Sequence, residues 1–220
     1  MKLEEVRAKI LEVGLIPAVR VSTPEDAWFA AEAVSQGGIP IVELTMTVPK
    51  ATELIAHLVE KYPAMVVGAG TVLDVETARR CLDAGANFLT SPGLDLEMVE
   101  FAVKQDVMVM PGVLTPSEVM SAVKAGAGFV KIFPCAPVGG VAYFRSLRPP
   151  FPRVSFIAAG GVNQQNAGEY IYAGAAALGI GADLIPPRAI EAREHGWIVE
   201  LARRFSHLVK NARKELVINR

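Results

Sequence analysis

Short runs rich in β-branched and apolar residues recur along the chain, each followed by Gly, Pro or Thr and then by apolar positions at helical spacing. Eight such runs fall at 15–20, 39–44, 64–68, 86–90, 106–110, 128–133, 154–158 and 176–180. Their starts lie roughly 20 to 27 residues apart, the length of a strand, a helix and two short loops, so the repeating unit is βα. Ser22-Thr23-Pro24-Glu25 and Thr115-Pro116-Ser117-Glu118 carry a cap followed by proline in the first turn, and Asp74 precedes another helix. Helices are predicted to stop at Gly37-Gly38, Gly85, Gly126 and Gly174. The Ala-Gly-Ala triplets at 84–86, 125–127 and 173–175 read as one recurring helix-to-strand turn. A helix over 1–13 opens the chain, and one or two amphipathic helices over about 186–216 follow the last run.

Eight parallel strands buried on both faces form either a doubly wound sheet or a closed barrel. No Gly-x-Gly-x-x-Gly opens a helix after the first run, so the pattern predicts a (β/α)8 TIM barrel as a single domain over 1–220.

The composition fits a folded, globular chain, with 51% apolar and 20% charged residues in 220. Twenty-two Lys plus Arg against 23 Asp plus Glu leave a net charge of −1, interspersed, which argues against nucleic acid as a partner. Cys81 and Cys135 stand alone, suggesting neither a disulfide framework nor a zinc site, and a reducing cytoplasm is expected. The N-terminus lacks an apolar signal-like core, and the longest uncharged runs reach about 15 residues. That is short of the ~20 needed to span a bilayer, so no membrane association is expected.

Catalytic residues of such barrels sit at the C-terminal ends of strands, so a charge embedded in a strand run is informative. Eight of the nine lysines fall in helix-like or terminal stretches. Lys131, in Gly128-Phe129-Val130-Lys131-Ile132-Phe133-Pro134, does not; alternation puts Phe129, Lys131 and Phe133 on one face. If Val130 and Ile132 meet the helices, Lys131 points into the barrel. Desolvation disfavours the charged form of a lysine in apolar surroundings, and neutral amine is the nucleophile that forms Schiff bases with carbonyl compounds. The plainer alternative is a buried lysine paired with a carboxylate for packing or specificity.

Glu43, in Pro40-Ile41-Val42-Glu43-Leu44-Thr45, shares its face with Ile41 and Thr45 and can also point inward. It is either an ion-pair partner of Lys131 or a proton shuttle. Arg20 ends the first run, where it either turns inward to an anion or outward to solvent. Ala158-Ala159-Gly160-Gly161 and Gly179-Ile180-Gly181-Ala182-Asp183 end the last two runs, where barrels often bind a phosphate on backbone N–H groups.

These residues resemble the class I 2-keto-3-deoxy-6-phosphogluconate (KDPG) and 4-hydroxy-2-oxoglutarate (KHG) aldolase family from about residue 15 to residue 186. The blocks are Val42-Glu43-Leu44-Thr45, Gly68-Ala69-Gly70-Thr71-Val72-Leu73, Ser91-Pro92-Gly93-Leu94, Met110-Pro111-Gly112-Val113, Lys131-Ile132-Phe133-Pro134 and Gly160-Gly161-Val162-Asn163. The resemblance implies that Lys131 forms the Schiff base and Glu43 moves protons. It further implies that Thr71 holds the pyruvyl carboxylate, that Pro92 and Phe133 line the pyruvyl pocket, and that Arg20 meets the distal part of the substrate or its carboxylate. Gly160, Gly161 and Gly181 would form the phosphate end. A metal-independent lyase without cofactor, acting as a homotrimer on a small 2-keto acid, is implied as well.

Two positions depart from the pattern. Thr47 stands where many members carry arginine, and Ala182 where many carry a serine that meets phosphate. The first removes a charge-assisted contact of about 1.5–3 kcal/mol, the second a neutral one of about 0.5–1.5 kcal/mol. Cys135 reads as a small buried hydrophobe, and His57, His195 and His207 as surface or packing residues without metal-ligand spacing. Two other classes remain open on the sequence: a non-catalytic sugar-acid binding or assembly protein on the same barrel, and a phosphate-sugar isomerase that needs no imine.

Overall fold

The predicted runs form strands, and in all but the first the leading residues lie outside the strand. In the computed structural model, which describes residues 1–218, the strands are β1 (Leu15–Val19), β2 (Ile41–Thr45), β3 (Val66–Gly70), β4 (Phe88–Thr90), β5 (Met108–Met110), β6 (Gly112–Val113), β7 (Val130–Ile132), β8 (Phe156–Ala159) and β9 (Ala177–Ile180). Residues 219 and 220 of the expected domain lie outside the described residues. Every paired neighbour is parallel, in the order β5-β4-β3-β2-β1-β9-β8-β7-β6. Since β5 and β6 are separated by Pro111 alone, they are two halves of one stave, and the sheet closes there into an eight-stave TIM-like barrel. Proline has no N–H to give the ladder, but its carbonyl still accepts from the Lys131 amide at 3.0 Å.

Helices separate the staves: α1 (Leu3–Val13), α2 (Pro24–Gln36), α3 (Ala51–Lys61), α4 (Val75–Asp83), α5 (Leu96–Lys104), α6 (Pro116–Lys124), α7 (Gly140–Leu147) and α8 (Ala167–Tyr172). The expected C-terminal helices are α9 (Pro187–Glu191) and α10 (His195–Ile218). One turn returns the chain from helix to strand after α2, α4, α5, α6 and α8. An amide bonds back to the carbonyl five residues earlier, as in Ile39 to Val34, Ala86 to Cys81, Val107 to Ala102, Ala127 to Ala122 and Ala175 to Tyr170. This closure needs a left-handed residue just before that amide, supplied by Gly38, Gly85, Gly126 and Gly174 and, after α5, by Asp106 at φ 56. Gly37 keeps a right-handed conformation, so of that pair only Gly38 performs the stop. These turns use up the residues in front of β2, β4, β5, β7 and β9, which is why those strands begin one or two positions later than the apolar runs.

The caps read in the sequence are present. Thr23 Oγ1 accepts from the Asp26 amide at 3.1 Å, and Thr115 and Glu118 form a reciprocal capping box. At the N-terminal end of the barrel α1 closes the floor through Arg7. Its guanidinium donates to the Gly128 carbonyl at 2.9 Å and to Ser155 Oγ at 3.1 Å while lying 5.0 Å from the centre of the Phe129 ring. The strand that will carry Lys131 is thereby pinned at its base. No helix among the described residues is long and apolar enough to cross a membrane.

Candidate active site

Inward-facing positions are fixed by the period of two along each strand. On β2 that face is Ile41, Glu43 and Thr45, and on β7 it runs Phe129, Lys131, Phe133. A cavity of about 370 Å³ opens at the C-terminal end of the staves, and its wall includes Arg20, Glu43, Lys131, Phe133, Gly160, Gly161 and Gly181. The structure therefore brings together seven of the nine residues named from the sequence.

Lys131 is half-buried, with Nζ 5.0 Å from the centre of the Phe133 ring beneath it. Glu43 is 4% exposed and lies over β3 at Gly70, where a Cβ would overlap its carboxylate. Among the described residues five ion pairs form within 4 Å, and none joins Lys131 to Glu43. An amine and a carboxylate that face one cavity without being locked to each other are both available to a carbonyl compound bound between them.

Arg20 turns to the cavity at the end of β1, and its Nη2 donates to Thr71 Oγ1 at 3.4 Å. Thr71, at φ 58, occupies the left-handed region sparsely used by non-glycine residues, a placement common at binding sites. Its side chain faces a second recess shared with Thr47, so it adjoins the main cavity through Arg20. Pro92 is not part of the cavity wall; its carbonyl packs over Gly112, the residue paired with Lys131. A side chain on Gly112 would collide there, which explains why this loop can lie so close to the stave.

Gly160 and Gly161, at φ 81 and 92, bring bare backbone to the far wall, and a Cβ on Gly161 would run into Ala136. Thr47 does not reach the cavity. Thr45 Oγ1 gives its hydrogen to the Val19 carbonyl at 3.0 Å, so the 2.7 Å contact between the two threonines is a donation from Thr47 to Thr45. Ala182 presents only a methyl group to the cavity.

Cys135 is buried, its thiol donates to the Ile132 carbonyl at 3.0 Å, and burial pushes its pKa up to about 11. A thiol so held has almost no thiolate at neutral pH and packs as a small hydrophobe. His57 and His207 are exposed, and His195 packs edge-on against Phe29 at 5.6 Å between ring centres. Among the described residues no group of three or more His, Cys, Asp and Glu side chains is arranged to hold a metal ion.

The cavity wall also holds residues that the sequence reading did not single out, Ala159, Gly179 and Asp183 having been quoted only within their glycine-rich runs. Ala18, Ala159 and Gly179 stand two positions before Arg20, Gly161 and Gly181, so extending the period of two would have found them. Asp183 and Ile185 lie beyond the last strand, where no periodicity applies.

Residues 6–201 match the KDPG and KHG aldolase family. The chain is 32% identical over 197 residues to the 2-dehydro-3-deoxy-phosphogluconate aldolase of Treponema pallidum, covering 90% of this chain and 94% of that protein. It is likewise 32% identical over 195 residues to the KHG/KDPG aldolase of Escherichia coli K12, covering 88% and 92%. Among solved structures, a KDPG aldolase from Legionella pneumophila, with pyruvate captured at low pH as a covalent carbinolamine intermediate, superposes with a TM-score of 0.84 at 32% identity. That alignment spans 90% of this chain and 96% of the other.

Proposed function

The chain belongs to the KDPG and KHG aldolase family, and we propose that Lys131 and Glu43 perform its reaction, the Schiff-base cleavage of a 2-keto-4-hydroxy acid to pyruvate and an aldehyde. Lys131 Nζ attacks the C2 carbonyl to give a carbinolamine, which loses water to form an iminium. Glu43 takes the C4 hydroxyl proton, directly or through water. The C3–C4 electron pair then passes into the iminium, releasing the aldehyde and leaving an enamine. Protonation of the enamine at C3 and hydrolysis of the resulting iminium return pyruvate and the free lysine.

The observation that carries this reading is the pair of unlocked groups, Lys131 Nζ and the Glu43 carboxylate, facing one cavity at the C-terminal end of the barrel. The contact between Arg20 and Thr71 supports their joint reception of the substrate carboxylate. Phe133, lying under the amine, lines the pyruvyl pocket, and Gly160, Gly161 and Gly181 receive the aldehyde half. The iminium is itself the electron sink, so the chemistry asks for no metal.

Borohydride added to the enzyme with pyruvate and EDTA should trap a reduced adduct on Lys131, located by peptide mass mapping. An enzyme that releases pyruvate while Lys131 stays unmodified would overturn the assignment. We read the chain as one barrel domain, supported by a buried cluster that runs from Val6 to Ala212. By family resemblance it assembles as a homotrimer, and a sedimentation mass of one 23.5 kDa chain would exclude that. The two free, buried cysteines agree with residence in a reducing cytoplasm.

A further inference from the structure

The cavity wall carries two cationic side chains, Lys131, which becomes the iminium, and Arg20. Binding of an anionic group on the substrate therefore depends on where the Arg20 guanidinium is held. Arg20 is exposed and its side chain has many rotamers, so its place is set by what it meets and by the backbone it leaves. At its tip Nη2 donates to Thr71 Oγ1 at 3.4 Å, a long contact. The firmer constraint lies at its base.

Arg20 follows β1, which stands between β2 and β9, and the pairing of Val19 with Leu44 sets Thr45 beside it. The Val19 carbonyl belongs to the peptide that leads into Arg20, and it accepts from Thr45 Oγ1 at 3.0 Å. A peptide unit is planar, so holding that oxygen fixes the plane from which the Arg20 Cα departs. Thr45 is fully buried, and its hydroxyl has one further partner, Thr47 Oγ1 at 2.7 Å. A hydroxyl has one hydrogen, and Thr45 gives its own to Val19, so donation runs from Thr47 to Thr45 to Val19. Hydrogen bonds chained in this way strengthen one another and hold Thr45 in a single rotamer. Neither threonine is part of the cavity wall, so neither acts on the substrate directly.

We infer that Thr45 and Thr47 are positioning residues for substrate binding, acting through the peptide between Val19 and Arg20 to aim the guanidinium. This inference rests on the aldolase reading and adds to it the residues that set its arginine.

The test is a lactate-dehydrogenase-coupled assay of pyruvate release from 2-keto-3-deoxy-6-phosphogluconate and 4-hydroxy-2-oxoglutarate. Thr45→Val and Thr47→Val are compared with the unaltered chain, alone and combined with Arg20→Ala. Valine keeps the branched shape and removes the hydroxyl. Each single variant should raise KM about two- to tenfold, the span of one neutral hydrogen bond, with kcat held within about twofold. Thr45→Ser, which keeps the hydroxyl, should leave KM as in the unaltered chain. With Arg20→Ala in place, neither valine should raise KM further, because effects that run through one group do not add. Thr45 shares its strand with Glu43, so an effect passed to that carboxylate would fall on kcat instead. Thr47 is exposed, so Thr47→Val gives the answer even where Thr45→Val fails to fold. An unmoved KM, a loss confined to kcat, or an increase that persists undiminished beside Arg20→Ala overturns the inference while leaving the aldolase reading intact. Absence of pyruvate release from the unaltered chain overturns both.

Discussion

A methyl group at position 70 would occupy the place of the Glu43 carboxylate, overlapping Oε1 and lying 2.6 Å from Cδ and Cγ. Two residues earlier on the same inward face, a methyl group at Gly68 would overlap the Phe88 ring in the barrel core. The same substitution should therefore do two different things. Gly68→Ala overpacks the core and is expected to cost about 1–3 kcal/mol of stability, with kcat of the folded enzyme little changed. Gly70→Ala displaces the carboxylate and should lower kcat by about tenfold or more, since small misplacements of a reacting group are costly. Urea midpoints and pyruvate release measured on both variants check this. An undiminished kcat in Gly70→Ala would sever Gly70 from the position of Glu43. Lys131 and Glu43 were legible in the sequence because a charge inside an apolar alternating run has only one face to choose. Gly70 was legible as part of a motif but not for its reason, since the clash exists only once β2 and β3 are paired. Asp183 was legible only as the end of the run Gly179-Ile180-Gly181-Ala182-Asp183, because a loop residue has no periodicity to place it.

At the scale of elements, local chemistry sets where each helix begins. The Thr115 hydroxyl accepts from the Glu118 amide at 3.3 Å, and the Glu118 carboxylate accepts from the amides of Thr115 and Leu114 at 2.7 and 3.0 Å. Donation by the Thr115 hydroxyl and these amides holds the Glu118 carboxyl below the usual carboxylate range. A depressed acid stabilises the fold above its ordinary pKa, and that contribution fades as pH falls through the folded value. Thr115→Ala should thus cost about 1 kcal/mol near neutral pH, and less under acid conditions where Glu118 is protonated in both forms. Urea unfolding at pH 7 and in the acid range reads the difference; a cost independent of pH would show that the box is not the cause. Both partners of this cap were visible as Thr115-Pro116-Ser117-Glu118. The break at Pro111 was not, because the chain resumes as Gly112–Val113 only to pair with the strand of Lys131.

At the scale of the whole molecule, acids sealed in the interior make stability depend on alkaline pH. Burial pushes the thiols of Cys81 and Cys135 from an ordinary value of 9.0 up to about 11, and the Tyr170 hydroxyl from 10.0 up to about 12. The folded chain keeps these groups neutral while the unfolded chain ionises them. Their contribution is therefore complete below about pH 9 and is lost as pH rises toward 11. The urea midpoint should fall across that window, and replacing both cysteines with alanine should flatten the fall. A midpoint that stays level from pH 9 to 11 would show that the thiols are not sealed.

The sequence by itself determined the staves, the helix caps, the left-handed stops and the inward placement of Lys131 and Glu43, because each follows from neighbours close along the chain. Tertiary structure alone decided which residues share the cavity. It kept Lys131 and Glu43 unpaired, left Pro92 out of the wall, joined Thr71 to Arg20 and brought Asp183 to the cavity. Those relations span strands distant in sequence and depend on register, stave closure and the small residues that let one backbone approach another. Periodicity along a single strand does not contain them.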